Sequence, residues 1–337
     1  MDVPPRFRRA LNALRKLAVI DCGTNTFNLR VVEMGAKGGW IPVFGQRIPV
    51  KLGKGGVAKG VIQPDRMARG LDALISMREA LRNYDVEEVH VLATSAMRDA
   101  KNGREFVAEA KRLADFDIQV IGGAHEARLI QEGIWLNHPE MPSETCLTMD
   151  IGGGSVEFVI WKGHEIQWAQ SFNTGVARLH MLMGLPDPMG REGQANMTPY
   201  FDDVMAPLVA AVAALKPTRL VGASGSFDTL AEMAGTRTKR ERPDHAQTPE
   251  SHPCVDPIPM EAFQSLAEQL VEQDVHHRVA MPGMDPARVD LMPFSVALIE
   301  WVLGLGDFKD MVRAPYALRE GVMTRLERGL PLLPELG

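Results

Sequence analysis

The hydrophobic pattern near the N-terminus predicts a β-hairpin. An apolar run at residues 17–20 leads to Asp21, a polar and glycine-containing stretch follows, and a β-rich run covers residues 27–32. Short apolar runs bounded by glycine and polar residues are typical of strands. Similar runs predict strands at 40–44, 47–53, 89–93 and 118–123, and apolar positions at helical spacing predict helices at 64–83, 102–114 and 124–138. The first part of the chain is therefore a β-β-β-α-β-α-β unit over about residues 17–125.

The second part of the chain begins with another hairpin pattern, at residues 146–161. A helix at 198–215, a strand at 219–225 and a helix at 226–234 follow, and helices at 259–273, 286–304 and 317–328 complete the chain. Residues 236–258 are polar and proline-rich, which predicts a surface insertion. Alternating strands and helices in two similar halves predict an α/β protein of two domains with an interdomain cleft. We place these domains at 17–128 and 129–316, after an N-terminal extension at 1–16, with the last helix, about 317–330, packing back on the first domain.

The two hairpins carry the same short motif. When "LAVIDCGTNTFNLRVV" (17–32) is laid on "LTMDIGGGSVEFVIW" (147–161), Asp21 falls on Asp150 and Gly23 on Gly152. Thr26 then falls on Ser155, and Asn28 on Glu157. Agreement of an acid, a glycine, a hydroxyl and both strand flanks indicates an internal duplication. Neither copy is a Walker loop or a dinucleotide fingerprint, since no Gly-Lys pair or helix follows the glycines.

Composition and charge narrow the classes of function. The chain has 337 residues, 45% of them hydrophobic, and a net charge of −6, so no global basic field would attract nucleic acid. Its three cysteines lack metal-ligand spacing, which favours a reducing compartment. The longest apolar run, near residues 206–215, is shorter than the roughly 20 residues that a membrane span needs. We therefore expect a cytoplasmic protein that binds neither nucleic acid nor membrane.

The glycine-rich turns predict phosphate binding. Successive backbone N–H groups of such a turn can point into one concavity and bind an anion. A glycine has no Cβ to obstruct this approach, and it adopts left-handed dihedrals readily. A third loop of this kind, "GASGS", occupies residues 222–226. The predicted phosphate-binding residues of the three loops are Gly23, Thr24, Asn25, Thr26, Gly152, Gly153, Gly154, Ser155, Gly222, Gly225 and Ser226.

Carboxylates beside these turns predict a divalent cation. Asp21 and Asp150 would repel phosphate directly, whereas Mg²⁺ prefers carboxylate and phosphate oxygens and can join them. Glu126, at a strand-to-helix junction, is a candidate base for water, and a helix-capping acid is its alternative role. Arg98 could bind a phosphate oxygen through two N–H groups, and a surface arginine is its alternative.

In these segments the sequence resembles the exopolyphosphatase and guanosine pentaphosphate phosphohydrolase (Ppx/GppA) family. The resemblance is carried, in family order over about residues 17–323, by "AVIDCGTNTFNLRVVE", "VLATSAMRDAKNG", "IQVIGGAHEARLIQEGI", "LTMDIGGGSVEFV", "VGASGSFDTLAEM", "MPGMDPARVDLMPFSVALI" and "YALREGV". It implies two duplicated domains of the actin-like, ribonuclease H-like superfold that close on a phosphate cleft. It also implies that Glu126 is the catalytic glutamate, that Asp150 and Glu157 hold Mg²⁺ or order the water, and that Arg98 stabilises charge.

The sequence departs from the family pattern in a few places. Asn28 stands where the family often has a basic residue, Pro293-Phe294 replace a usual glycine, and Tyr316 replaces a usual small residue. Longer members carry a C-terminal helical domain for which this chain has no room. We therefore expect a short-form, less processive enzyme that favours shorter polyphosphate chains, and family precedent is compatible with a homodimer.

Three alternatives to an exopolyphosphatase stay open at this stage. Guanosine pentaphosphate 5′-phosphohydrolase activity is hardly distinguished by sequence. A small-molecule kinase of the same superfold would need a nucleotide pocket and an acceptor base. An inactive nucleotide-binding regulator would keep the loops and lose turnover.

Overall fold

The first half of the chain forms a five-stranded mixed sheet. The computed structural model describes residues 15–35, 38–138, 141–237 and 255–336. The sheet has the strand order β3-β2-β1-β4-β5, in which β1, β2 and β3 are antiparallel neighbours and β1, β4 and β5 are parallel. Its strands are β1 (Lys16–Cys22), β2 (Thr26–Met34), β3 (Trp40–Pro49), β4 (Glu88–Ala93) and β5 (Ile118–Val120). The helices of this half are α1 (Pro64–Leu81), α2 (Ser95–Arg98), α3 (Gly103–Ala114) and α4 (Gly123–Trp135).

The second half repeats this topology. Its sheet has the order β10-β11-β9-β6-β7-β8, so β8-β7-β6-β9-β11 corresponds to β3-β2-β1-β4-β5 with the same parallel and antiparallel neighbours. The strands are β6 (Cys146–Ile151), β7 (Val156–Lys162), β8 (Glu165–Phe172), β9 (Arg219–Ala223), β10 (Asp256–Pro257) and β11 (Asp310–Arg313). The helices are α5 (Val176–Met183), α6 (Gly190–Ala195), α7 (Thr198–Val204), α8 (Ala206–Leu215), α9 (Ser224–Met233), α10 (Met260–Glu272), α11 (Val275–Val279), α12 (Met292–Leu303) and α13 (Leu318–Glu327). The repeated strand order confirms the predicted duplicated α/β fold.

Helices α4 and α13 pack in the core between the two sheets. One buried cluster contains Leu17 of β1, Val159 of β7 and Val322 of α13 together with apolar residues of α4. Glycines bring the two helices close together: a Cβ on Gly133 would lie 1.9 Å from the Ala317 carbonyl oxygen, and one on Gly321 would lie 1.9 Å from the Leu129 carbonyl oxygen. The last helix contacts both β1 and α4. The division into domains at 128/129 stays a prediction.

Some predicted elements have different bounds. The predicted strands 40–44 and 47–53 form the single strand β3, because Gly45 and Gln46 continue the ladder with β2 instead of ending it. Residues 95–98, between the predicted strand 89–93 and the predicted helix 102–114, form the short helix α2, and residues 256–257 of the predicted insertion form β10.

Two predicted helices were too long because of proline. The helix expected at 198–215 breaks at Met205 into α7 and α8, since Pro207 cannot donate an intrahelical hydrogen bond and is accommodated in the first turn of α8. The helix expected at 286–304 begins at Met292, with Pro293 in its first turn.

Several predictions fall outside the described residues. These include the extension up to residue 14, residues 238–254 of the insertion, and Cys254. Cys22 and Cys146 are buried free thiols. In the described ranges, no single helix is long and apolar enough to cross a membrane; the segments 190–204 and 206–215 pass such a test only together, with a bend of 79° between them.

Candidate active site

A cavity of about 650 Å³ lies between the two sheets and contains both predicted turns. Its walls include four carboxylates that the sequence singled out, together with the residues of the turns. These residues are Asp21, Gly23, Thr24, Asn25, Thr26, Glu126, Asp150, Gly152, Gly153, Gly154, Ser155 and Glu157. The two aspartates of the duplicated motif therefore face one shared space.

The two hairpin turns have the same backbone geometry. In the first, the Gly23 N–H donates to the Thr26 carbonyl at 3.2 Å, and in the second the Gly152 N–H donates to the Ser155 carbonyl at 3.0 Å. The strand registers also correspond, with Asp21 opposite Asn28 and Asp150 opposite Glu157. The structure thus confirms the internal alignment residue by residue.

The carbonyl groups of the second turn are held by the start of α5. The carbonyl oxygens of Gly152, Gly153 and Gly154 accept hydrogen bonds from backbone N–H groups of residues 175–178 at 2.9–3.2 Å. In a trans peptide the next residue's N–H points opposite to the carbonyl. Fixing the three carbonyls toward α5 therefore turns the following N–H groups to the other side of the turn, as an anion-binding turn requires.

The glycines of this turn are required by close packing, not by unusual dihedral angles. None of the three has a positive φ, so the predicted use of left-handed conformations is wrong. A Cβ on Gly153 would lie 2.8 Å from the Asn25 Nδ2, and one on Gly154 would lie 2.0 Å from the Ser95 Oγ. The second turn thus packs directly against the first turn and the start of α2, and larger residues would separate them.

Glu126 is a buried carboxylate in the first turn of α4, and it is paired with Arg98. The Arg98 Nη1 lies 2.9 Å from the Glu126 Oε2 and donates to the Ile121 carbonyl at 3.1 Å. Burial raises the pKa of Glu126 well above its ordinary value, the charge of Glu157 raises it further, and Arg98 opposes both. Arg98 is not among the residues that line the cavity. Its guanidinium contacts the Glu126 carboxylate and the Ile121 carbonyl, so the structure pairs it with the candidate base.

The other three acids of the turns are also buried, and nearby hydrogen bonds and positive charges only partly offset the effect of burial on their pKa values. Burial raises the pKa of Asp150 to about 7, the charge of Glu157 adds to the rise, and a hydrogen bond from the Ser224 side chain opposes it. Burial also raises the pKa of Asp21 to about 6, against the lowering effect of Arg319. Glu157 accepts a hydrogen bond from the Ser171 Oγ at 2.7 Å, and burial raises its pKa as well. Such a group of acids carries excess negative charge that a cation would offset.

The third predicted loop reaches the cavity only in part. Gly225 and Ser226 line it, whereas Gly222 does not, because Gly222 lies in β9 against the ring of Phe227. Ser226 shares a hydrogen bond of 2.9 Å with Ser295. Ser224, which the sequence analysis did not single out within this loop, lines the cavity and adopts a positive φ of 66°.

Five arginines of the cavity wall were missed from the sequence. They are Arg30 of β2, Arg47 of β3, Arg237 from the segment after α9, Arg288 from the segment before α12 and Arg319 of α13. Burial lowers the pKa of Arg30, and the positive charge of Arg319 lowers it further. Burial also lowers the pKa of Arg288, and the positive charge of Arg47 lowers it further. Arg30 could have been found, because it follows Asn28 by two residues on the same face of a strand.

The described ranges hold no three His, Cys, Asp or Glu side chains that are placed to bind a metal ion by themselves. The predicted set Asp21, Asp150 and Glu157 is therefore not a preformed three-carboxylate cage. Mg²⁺ commonly uses one or two carboxylates and completes its octahedral shell with water and substrate phosphate oxygens. The adjacent Asp21 and Asp150, in a cavity that also contains arginines, fit that second type of site.

Comparisons with known proteins agree with this geometry. The chain matches the Ppx/GppA phosphatase family over residues 31–329. It is similar to exopolyphosphatase 2 of Mycobacterium tuberculosis, with 28% identity over 86% of this chain and 90% of that protein. It is also 27% identical to the guanosine-5′-triphosphate,3′-diphosphate pyrophosphatase of Aeromonas salmonicida, over 92% of this chain and 59% of that longer protein.

Solved structures give the same result. The crystal structure of an exopolyphosphatase from Cytophaga hutchinsonii has a TM-score of 0.87 and 36% identity, and the match covers 95% of this chain and 100% of that one. The Aquifex aeolicus member of the Ppx/GppA family shares the fold, with a TM-score of 0.73 and 20% identity over 94% of this chain and 98% of that one. The sequence motifs, the duplicated fold and these matches agree, and the chain belongs to the Ppx/GppA phosphatase family.

Proposed function

We propose that this protein is an exopolyphosphatase that hydrolyses the terminal phosphate of inorganic polyphosphate. The observation that supports this most directly is the presence of both charges within one cavity: acids cluster at the two turns, and five arginines lie elsewhere on the wall, together with Asp228 and Glu320. Polyphosphate is an anionic chain whose reacting end needs a base and a cation, and whose remaining length needs positive charge. Because the protein has a net charge of −6, an anionic substrate must be attracted by the local positive charge of these arginines.

Glu126 is the proposed general base. As its carboxylate takes a proton from water, the water oxygen bonds to the terminal phosphorus and the bond from that phosphorus to the bridging oxygen breaks. Orthophosphate and a chain shortened by one unit are the products. Burial makes this carboxylate more basic than an exposed glutamate, and Arg98 opposes that rise in its pKa. Phosphoryl transfer depends mainly on positioning and electrostatics, which these groups supply.

The turns and the arginines bind different parts of the substrate. The N–H groups of Gly153, Gly154 and Ser155 would bind oxygens of the reacting phosphoryl group. The hydroxyl groups of the first turn, at Thr24 and Thr26, face the same space. The arginines would bind the following phosphates, since guanidinium groups match phosphate geometry.

Asp21 and Asp150 would hold Mg²⁺ next to the substrate, with Glu157 beside them. When bound, the ion would neutralise charge on the phosphate oxygens and on the leaving chain. Binding of a cation there is favourable because its positive charge offsets the negative charge of these buried acids.

Hydrolysis of guanosine pentaphosphate is the second candidate, because a relative named guanosine-5′-triphosphate,3′-diphosphate pyrophosphatase matches 92% of this chain. Both substrates present a terminal phosphoanhydride to the same base, so the reacting end would bind alike. They differ beyond it, where one continues as phosphates and the other carries a nucleoside.

A phosphate-release assay with Mg²⁺ tests the proposal, with polyphosphate, guanosine pentaphosphate and ATP plus a small acceptor tried side by side. We expect the highest kcat/KM for polyphosphate. A higher value for guanosine pentaphosphate would favour the second candidate. Formation of a phosphorylated acceptor faster than phosphate release from polyphosphate would overturn hydrolysis in favour of a kinase, and no turnover of any of them would favour a regulator.

A further inference from the structure

Arg178, on α5, joins the second turn to two segments of the first half of the chain. Its Nε donates to the Gly154 carbonyl at 3.0 Å, its Nη1 to the Val57 carbonyl at 3.0 Å, and its Nη2 to the Asp99 Oδ2 at 2.8 Å. The side chain is only 12% exposed. One guanidinium therefore connects the turn at the end of β6 with the segment after β3 and the end of α2.

The Asp99 carboxylate continues this connection toward Glu126. Its Oδ1 lies 3.5 Å from the Arg98 Nε, and Arg98 in turn lies 2.9 Å from Glu126. Arg178, Asp99, Arg98 and Glu126 thus form a series of alternating charges from the glycine turn to the proposed base. Neither Arg178 nor Asp99 lines the cavity.

We infer that Arg178 is a positioning residue, which fixes the second turn and, through Asp99 and Arg98, the orientation of Glu126. This inference rests on the proposed function for its kinetic consequence, but its structural part does not. The Gly154 carbonyl and the Ser155 N–H belong to one peptide plane, so holding the carbonyl outward directs that N–H inward. The same guanidinium holds Asp99 where it can orient Arg98. Loss of Arg178 therefore loosens an anion-binding N–H and the base together.

Lysine cannot replace this arginine fully. A single ammonium group on a flexible stem cannot reproduce the planar fork that contacts three separate acceptors. The graded series Arg178→Lys and Arg178→Gln therefore separates loss of geometry from loss of charge. Arg112, an exposed arginine of α3 that pairs with Glu109 three residues before it, offers the matched control Arg112→Gln.

The kinetic test is polyphosphate hydrolysis with saturating Mg²⁺. We expect kcat to fall by about 10²-fold in Arg178→Gln and by roughly 10-fold in Arg178→Lys, in keeping with the cost of misplacing reacting groups, while KM changes by less than about 3-fold because the cavity arginines remain. Low concentrations of guanidinium should partly restore kcat in Arg178→Ala. Since the contacts act as one unit, the double variant Arg178→Gln/Asp99→Asn should lose about as much kcat as the more impaired of the two single variants. The inference would be overturned if Arg178→Gln raises KM at constant kcat, or if its kcat equals that of the control. It would also be overturned if the losses in kcat of the two single variants multiply independently in the double variant.

Hydrogen exchange followed by mass spectrometry separates this inference from the proposed substrate. In Arg178→Gln, the peptide that contains residues 152–158 should exchange faster than in the wild type, whereas a peptide from β1 should not change. Faster exchange would support the structural part even if the wild-type protein releases no phosphate from polyphosphate. Unchanged exchange at the turn would refute it even if the wild type is active. If Arg178→Gln fails to fold, Arg178→Lys carries the same comparison.

Discussion

Asp150 provides a test in which stability and activity change in opposite directions. Its carboxyl is buried, and burial raises its pKa from 3.8 to about 7, with the charge of Glu157 adding to the rise. The folded protein therefore favours the neutral acid. This contribution to stability is complete below the unfolded pKa and is lost as the pH rises through about 7. Above that pH, without a cation, the ionised Asp150 destabilises the fold.

The magnitude follows from the shift. The rise of about 3 pKa units, at 1.36 kcal/mol each, corresponds to about 4 kcal/mol at pH 8, which is an upper limit because neighbouring charges also rearrange. Asn has the same shape and no charge, so Asp150→Asn should raise the free energy of unfolding of the metal-free protein by roughly 2–4 kcal/mol at that pH. The difference should shrink to less than about 2 kcal/mol at pH 5, where the folded-state acid is already protonated.

Urea unfolding with a chelator present, at both pH values, measures this difference. Asp117→Asn, at an acid whose side chain is 85% exposed, is the control and should change stability by less than about 0.5 kcal/mol. Asp150→Asn should also abolish most Mg²⁺-dependent phosphate release. If Asp150→Asn destabilises the metal-free protein at about pH 8, or has the same effect at both pH values, burial of the ionised Asp150 carboxylate does not destabilise the fold.

Three further outcomes follow from the cavity. Burial raises the pKa of Asp150 to about 7 and that of Asp21 to about 6, so protons compete with Mg²⁺ for these carboxylates. The Mg²⁺ concentration for half-maximal activity should therefore rise as the pH falls from 8 to 6, and a constant value would contradict this. Asp285 lies within 3.3 Å of two cavity arginines, so Asp285→Asn should lower KM for polyphosphate by about 2–5-fold at low salt, and an increase would show that the acid organises them instead. Gly154→Ala would place a Cβ 2.0 Å from the Ser95 Oγ, so kcat should fall by more than about 10-fold, whereas Gly163→Ala, at an open turn, should keep kcat and cost about 1 kcal/mol of stability.

The local parts of the site were predictable because they lie in short continuous segments. The correspondence of Asp21 with Asp150, and of Asn28 with Glu157, depends on strand register, which alternation and a fixed turn length specify. Glu126 followed from its place at a strand-to-helix junction. These features require no knowledge of which distant segments meet.

The remaining parts depend on tertiary packing. Arg47, Arg288 and Arg319 come from three separate segments, and only the folded chain brings them to one wall. Arg98 was expected at the phosphate, and its pairing with Glu126, 28 residues further along the chain, becomes apparent only in the folded structure. Sequence reasoning also missed Arg178, because an arginine in a helical sequence pattern does not show that its guanidinium contacts both halves of the chain.

In the proposed mechanism, Glu126 activates water between two facing turns. The initial rate of phosphate release from polyphosphate by Glu126→Gln, with saturating Mg²⁺, tests this role. Glu132→Gln is the matched control, since Glu132 lies on the same helix and pairs with Arg325 at 2.6 Å. We predict a loss of at least about 10²-fold in kcat for Glu126→Gln, with the control within a few-fold of wild type. A Glu126→Gln enzyme that keeps near-wild-type kcat would contradict it.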